Sequence, residues 1–307
     1  MSTEYSFEMT KYICGVIFYP VFSIVGVFVN INCIIVFLHA SMNNSTNRYL
    51  IGIAFGDLMK ALNDFIYFPS VLFGKQSKII YVNYYSYGYF LSQYFAIVTT
   101  WVTLAVCFER YLMVVHPICY RSYLDKNKAT LITLGIYLIM VLFTLPCGFR
   151  YEKVCISIFN TSKKCLEYNL ITSKFWMKFS FGHNFLIVQS LVRSIIPLMA
   201  LLWLNIKIII ALNKTTISRR MESRNRITLM LIIIVCVFII LSLPDSLMSM
   251  MNWGYHDAEG ITRKIIREIS DTLLLLNADV NFFIYLIFNN KFRSVYSHQY
   301  DCHRVRS

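Results

Sequence analysis

Charged residues are scarce in this chain: Asp, Glu, Lys and Arg make up 15% of its 307 residues, whereas hydrophobic residues make up 57%. The mean hydropathy of +0.56 is too high for an ordinary soluble protein. The formal net charge is +13, but the basic residues are scattered over short polar segments, so we expect no nucleic-acid partner. The composition therefore predicts a membrane protein.

Signatures of catalysis are missing as well. The chain has no Gly-x-Ser-x-Gly turn, no glycine-rich phosphate loop and no His-Glu-x-x-His pair. His298, Cys302 and His303 lie close together in sequence, but they lack a fourth ligand and the spacing of a zinc site. We therefore expect neither an enzyme nor a metal site. A small-solute transporter remains the rival class, although the internal repeats and pore loops typical of transporters and channels are not evident.

Seven long apolar stretches dominate the sequence. Each is long enough for a membrane-spanning helix, which needs about 20 residues. None shows the alternation of apolar and polar residues that the strands of a membrane barrel have. They predict an all-α membrane protein, in which a bundle of seven transmembrane helices and a short amphipathic helix at about 290–298 form a single domain over residues 1–307. The predicted spans are approximately 12–38, 49–73, 85–115, 129–148, 181–212, 225–252 and 266–289.

Polar residues and prolines recur at particular places in these spans. Glu109-Arg110-Tyr111 ends the third span and is followed by His116-Pro117. An acid–base pair beside a lipid-spanning segment is costly unless it faces protein or serves a function. The other landmarks, in chain order, are Gly26 with Asn30, Ile53-Ala54 with Asp57, Pro197, Phe238 with Pro244, and Asn281 with Tyr285.

Over nearly the whole chain, this series of motifs resembles the rhodopsin-like G-protein-coupled receptors. Within that family, residues 226–231 and 276–285 are similar to the invertebrate FMRFamide-receptor-like group. The resemblance implies a plasma-membrane receptor with an extracellular N-terminus and a cytoplasmic C-terminus. It would bind an extracellular peptide or small-molecule ligand and activate a heterotrimeric G protein. A diverged chemosensory receptor of the same fold remains an alternative.

The resemblance also assigns residues to activation and coupling. Arg110, held by Glu109 at rest, would meet the G protein once it is released. The alternative is an ordinary surface ion pair at a helix end. The other residues implied in activation and coupling are Tyr111, Asn281, Tyr285, Pro197, Phe238 and Pro244.

A polar pocket is implied in the middle of the bundle. A carboxylate such as that of Asp57 stays ionised in an apolar interior only if it is compensated, and the resemblance implies a bound Na⁺ as the compensation. The alternative is a protonated Asp57 that hydrogen-bonds to asparagines. Apart from this ion, we expect no cofactor. The residues expected in the pocket are Asn30, Asp57, Thr99, Asn277 and Asn281.

Acidic residues near the outer end of the bundle suggest a site for a basic ligand. Clustered acids attract a cation, and an Arg guanidinium pairs with carboxylates in bidentate geometry. This suits a peptide that ends in Arg-Phe-amide. Alternatively, each acid pairs with an internal base such as Lys60 or Arg267, or stays protonated beside Ser246 or Ser249. The expected ligand-binding residues are Asp245, Asp271, Asp64, Tyr67, Gln93 and Tyr94.

One departure from the family concerns its disulfide. Tyr85 stands where the family has a cysteine at the start of the third helix, so the usual bridge to the second outer loop cannot form. We expect instead a local disulfide between Cys155 and Cys165, whose ten-residue separation permits hairpin closure. Cys147 and Cys14 are competing partners that the sequence leaves open.

Two covalent modifications are also expected. Asn160 begins a glycosylation sequon between Cys155 and Cys165, which places this loop on the oxidising, extracellular side. Cys302 lies just after the amphipathic helix and is a candidate for palmitoylation. An idle thiol is the alternative reading of Cys302.

Overall fold

The computed structural model describes residues 2–72, 78–117, 125–158, 165–178, 181–214, 219–251 and 260–304. Two of its long helices contain a π-helical turn. Helix α1 comprises Ser2–Tyr12, a π-helix Ile13–Phe18 and Tyr19–Leu38; α5 comprises Phe181–Ser190, a π-helix Leu191–Ile195 and Ile196–Lys214. The remaining helices are α2 (Ser45–Leu72), α3 (Lys78–Val115), α4 (Lys126–Gly148), α6 (Arg219–Met251), α7 (Ile261–Phe288) and α8 (Asn290–Arg304), with short turns at Ala40–Met42 and Lys174–Met177.

The predicted seven-helix bundle is confirmed. Helix α1 packs against α2 and α7, and α6 packs against α5 and α7, so the helices form a closed ring. Helix α3 contacts α2, α4, α5 and α6 and therefore lies at the centre. Because lipid offers no partners for backbone polar groups, helices that satisfy their own backbone are the expected solution for such a chain.

The second helix differs from the others in hydropathy. Among the described residues, six helices are long and apolar enough to cross a membrane: Glu4–Leu38, Val82–Val115, Lys126–Gly148, Phe181–Asn213, Arg226–Met248 and Ile261–Phe288. Helix α2 has the length, with 28 residues, but Asp57, Lys60 and Asp64 lower its hydropathy. All three side chains are buried inside the bundle, where lipid does not meet their charges.

The two π-helical turns each lie next to a proline. Proline has no backbone N–H, so the carbonyl four residues earlier loses its helical partner. Those carbonyls belong to Val16, before Pro20, and to Arg193, before Pro197, and both residues lie inside the π-helical turns. A π-helical turn contains an extra residue and changes the directions of the side chains that follow. In α5 this turn carries Arg193.

An antiparallel β-hairpin follows α4, where the sequence predicted only a loop. Strand β1 (Tyr151–Ile158) pairs with β2 (Cys165–Thr172), from Tyr151 opposite Thr172 to Cys155 opposite Tyr168, with an irregular register beyond Cys155. A two-stranded hairpin is marginally stable by itself. Its formation therefore depends on contacts with the bundle, which no local pattern reveals.

Arg150 attaches this hairpin to α3. Its side chain is buried, and its Nη1 donates a hydrogen bond of 2.6 Å to the hydroxyl of Tyr89. The guanidinium also lies 5.1, 5.2 and 5.5 Å from the ring centroids of Tyr89, Tyr151 and Trp176. Tyr85 packs edge-to-face against Tyr151, with centroids 5.1 Å apart. Aromatic and cation–π contacts thus join the hairpin to α3 at Tyr85, where the resembled family carries its cysteine.

We expect the substitution Arg150→Ala to destabilise the protein by about 2–3 kcal/mol, because it removes a buried charged hydrogen bond and the cation–π contacts. The unfolding temperature of the purified protein should fall by several degrees. Lys153→Ala is the matched control, since Lys153 is an exposed base of β1, three residues after Arg150, and is bonded to Asn83. Equal unfolding temperatures for the two variants would contradict this role of Arg150.

Candidate functional site

Glu109 and Arg110 are buried at one end of α3, with 1% and 5% exposure. The alternative of a surface ion pair is therefore wrong. Both side chains meet the first turn of α2: the Glu109 carboxylate accepts hydrogen bonds from the hydroxyls of Ser45 and Thr46, and Arg110 Nη2 donates to Thr46 Oγ1. The hydroxyl of Thr46 thus lies between the acid and the base, and it joins α2 to the end of α3.

Other residues expected in activation lie on four different helices, α3, α5, α6 and α7. Tyr285 of α7 is 1% exposed and packs between Phe37 and Phe292, with ring centroids 5.1 and 5.6 Å away. This contact fastens α8 to the bundle, because Phe292 is fully buried. Tyr111 is half-buried and packs against Trp203 of α5 at 5.6 Å. Pro197 and Pro244 lie inside α5 and α6.

A central cavity of about 40 Å³ lies between the helices. Three of the five residues expected in the polar pocket line it, and Asn281 Nδ2 donates to Asp57 Oδ2 at 3.3 Å. Asn30 instead donates to the carbonyls of Gly26 and Ala278, at 2.9 and 3.5 Å, in the contact between α1 and α7. The side chains lining the cavity include those of Asp57, Lys60, Thr99, Arg193, Phe238, Ser242, Asp245 and Asn277.

The acid at Asp64 pairs with an internal base. Its side chain is fully buried, forms an ion pair with Lys60 and accepts a hydrogen bond of 3.2 Å from Asn63 Nδ2. This is the alternative that the sequence left open for each acid. Asp64 therefore faces the interior of the bundle. The prediction that it binds ligand required it to face an open vestibule.

Asp245 pairs with a residue that the sequence analysis did not single out. Its Oδ2 lies 2.6 Å from Arg193 Nη2, and Arg193 Nη1 donates to Gln93 Oε1 at 2.7 Å. Gln189 Nε2 donates to the same oxygen at 3.2 Å. Helices α3, α5 and α6 meet at this cluster. The signal that could have found Arg193 is its position as an arginine in the middle of an apolar span, where a charge requires a partner.

The remaining residues expected to bind ligand are dispersed. Asp271 is half-buried on α7, and no hydrogen bond or ion pair of its carboxylate is found in the part of the chain that the structure describes. The negative charge of Asp245 repels the Asp271 carboxylate, and the positive charge of Arg193 attracts it. Tyr94 donates to the carbonyl of Tyr137 at 3.1 Å and so packs towards α4. The side chain of Tyr67 lies outside the described residues.

Comparison with known proteins agrees with this arrangement. The model of the family described as "7 transmembrane receptor (rhodopsin family)" matches residues 30–285. The chain belongs to this family. It is a class of receptors and not of enzymes, which confirms that the chain is not an enzyme, and its fold makes the chain a multi-pass protein of the plasma membrane.

Three curated relatives are 25% identical to the chain. The FMRFamide receptor of Drosophila melanogaster aligns with 93% of this chain and 53% of its own length, so the chain spans about half of that relative. The neuromedin-U receptor 2 of Mus musculus aligns with 96% of this chain and 79% of its own length. The tachykinin-like peptides receptor 86C of Drosophila melanogaster aligns with 83% of this chain and 52% of its own length.

The states of the cysteines reduce the number of possible disulfide partners of Cys155. Cys155 is disulfide-bonded, whereas Cys14 and Cys147 are free and buried. Neither competing partner therefore holds Cys155. The side chain of Cys165 lies outside the described residues, so the local pair stays a prediction. Asn160 and the side chain of Cys302 also lie outside them, and glycosylation and palmitoylation remain predictions.

We expect Thr46→Val to destabilise the protein by about 1–3 kcal/mol, because buried charged groups lose a hydrogen-bond partner. Thermal unfolding of the purified protein measures this loss. Thr130→Val is the matched control, since the exposed Thr130 hydroxyl bonds to the carbonyl of Lys126 within its own helix, at 3.1 Å. Thr46→Ser keeps the hydroxyl and should restore most of the stability. An unchanged Thr46→Val variant would show that the contact is not needed.

Proposed function

We propose that this protein is a G-protein-coupled receptor of the plasma membrane that binds an extracellular peptide and activates a heterotrimeric G protein. The observation that carries this proposal is the buried contact of Glu109 and Arg110 with Thr46. A buried guanidinium held by a few hydrogen bonds at the end of a helix is a group that a helix movement can release to a partner. The names of the three relatives, which are receptors for FMRFamide, neuromedin-U and tachykinin-like peptides, support a peptide ligand.

In this proposal the hairpin faces the outside and Arg110 faces the cytoplasm, with an outer N-terminus and a cytoplasmic C-terminus. The disulfide at Cys155 supports this orientation, because disulfides persist on the oxidising side of the membrane. Membrane lipid surrounds the bundle. Leucines such as Leu138 and Leu142 on α4, which are 67% and 72% exposed, support that contact.

The proposed mechanism is an equilibrium between two arrangements of the bundle, biased by peptide from outside and by G protein from inside. A cavity of about 40 Å³ is far smaller than an amino-acid side chain such as arginine. Binding of a peptide side chain in the bundle therefore requires the helices around Arg193 and Asp245 to separate. The arrangement with the small cavity and the buried Arg110 corresponds to the resting receptor.

We expect Arg110→Ala to abolish G-protein coupling, because the proposed contact with the G protein is lost. Surface expression and ligand binding should be largely retained. The measurement is a second-messenger response in transfected cells, with agonist found in a panel of peptides. Arg293→Ala is the control, since Arg293 is an exposed arginine of α8 that bonds to Asn290. Normal coupling by a well-expressed Arg110→Ala variant would refute the assignment.

Asp271 is the stronger candidate for the anchor of a basic ligand. Asp245 already has Arg193 as its counter-charge at 2.6 Å, so a ligand guanidinium would have to displace that base. Asp271 is half-buried on α7, where the negative charges of Asp245 and Glu268 repel its carboxylate more strongly than the positive charges of Arg193 and Arg267 attract it. An incoming cation relieves this repulsion, and in a partly apolar site the gain is large. The proposed ligand is accordingly a peptide with an arginine near its amidated end.

We expect Asp271→Arg to weaken activation by an Arg-Phe-amide peptide at least tenfold, equivalent to about 1.4 kcal/mol. A peptide with Glu in place of Arg should recover part of the response. Dose–response curves for both peptides measure the exchange. Glu152→Arg reverses a charge of the same sign on the hairpin and controls for long-range electrostatics. An unchanged response of Asp271→Arg to both peptides would contradict the anchor while leaving coupling through Arg110 intact.

A further inference from the structure

Lys60 brings a positive charge into the middle of the bundle. It follows Asp57 by three residues and precedes Asp64 by four, so the three side chains share one face of α2. The Lys60 ammonium forms an ion pair with Asp64, and Lys60 and Asp57 line the same central cavity. The exposed fractions of Asp57, Lys60 and Asp64 are 5%, 8% and 0%. Bulk water therefore screens these charges little.

A third acid lies within range of the same ammonium. Asp279 of α7 is 3% exposed, and its Oδ2 has no hydrogen-bond partner among the described residues. Attraction to Lys60 acts on both Asp57 and Asp279. Such attractions are strong where the effective dielectric constant is low. The Lys60 ammonium thus pairs directly with Asp64 and also attracts the carboxylates of Asp57 and Asp279.

A sodium ion beside Asp57 would have to enter the cavity that Lys60 also lines. A volume of about 40 Å³ holds about three water-sized probes at ~10–15 Å³ each, so the ion and the ammonium could not be well separated by water. Two like charges at such short range repel each other strongly. The side chains around Asp57 therefore do not fit a sodium ion.

We propose that the Lys60 ammonium is the resident cation of this polar core and takes the place of sodium beside Asp57. A tethered cation is present at every salt concentration, whereas a dissolved ion stabilises a protein only in proportion to its occupancy. The folded receptor is consequently indifferent to the exchange of Na⁺ for K⁺. Removing the ammonium while keeping Asp57 converts the core into a sodium site.

The test is thermal unfolding of the purified full-length receptor in NaCl and in KCl at equal ionic strength. The wild type unfolds at the same temperature in both salts. Lys60→Met, which keeps a similar side-chain length without the charge, gains a sodium-specific rise of about 3 °C or more once Na⁺ reaches about ten times its Kd. The double variant Lys60→Met/Asp57→Asn loses this rise, which places the ion at Asp57.

Two controls accompany these variants. Lys60→Arg keeps the charge and stays indifferent to sodium, and Lys207→Met removes an exposed lysine of α5 and behaves as the wild type. Lys60→Gln serves as a second neutral variant if Lys60→Met does not fold. A wild type with a higher unfolding temperature in NaCl than in KCl overturns the proposal. So does a folded neutral variant whose unfolding temperature is the same in both salts. The measurement uses neither ligand nor G protein, so its outcome is independent of the proposed function.

Discussion

A charge in the interior of a membrane bundle has to find its counter-charge or its hydrogen bonds inside the protein, because lipid supplies neither. The Arg193–Asp245 pair meets this requirement between α5 and α6, and Gln93 extends it to α3. At the end of α3, the contact of Glu109 with Thr46 does the same for α3 and α2. The relative positions of these helices therefore follow from where their charges are compensated. Apolar packing alone would tolerate small rotations, whereas these pairs do not.

The backbone of α5 shows how a local sequence feature serves this requirement. Pro197 removes an N–H and frees the carbonyl of Arg193, and the helix accommodates the loss through the π-helical turn Leu191–Ile195. Arg193 lies within that turn. Its guanidinium reaches both Asp245 and Gln93 at 2.6 and 2.7 Å. A proline and an arginine four residues apart thus combine to place one cation at the junction of three helices.

The helices and the order of the motifs could be predicted because both signals are local: continuous apolar stretches, and short motifs at fixed spacings. The side-chain partners that join one helix to another could not be predicted. Arg193 had no predicted role, because its pairing depends on the rotation of α5 and α6 about their axes. Asn30 was expected in the central pocket but bonds to Gly26 and Ala278. Gly26 permits the close approach of α7 to α1 at this point, since a Cβ there would stand 2.7 Å from Asp279 Oδ1. Backbone proximity of this kind is a tertiary property.

Helix α3 is the element that connects the two ends of the molecule. It carries Gln93 beside the Arg193–Asp245 pair and Arg110 beside Thr46, and 17 residues at 1.5 Å per residue separate them by about 25 Å. Coupling over such a distance requires an element with two discrete arrangements that both sites bias. In the proposed function, a ligand cation at Asp271 would also attract the nearby Asp245 and so weaken its pair with Arg193, which holds Gln93 of α3. Because α3 is one continuous helix of 38 residues, we expect a displacement there to reach the hydrogen bonds that bury Arg110.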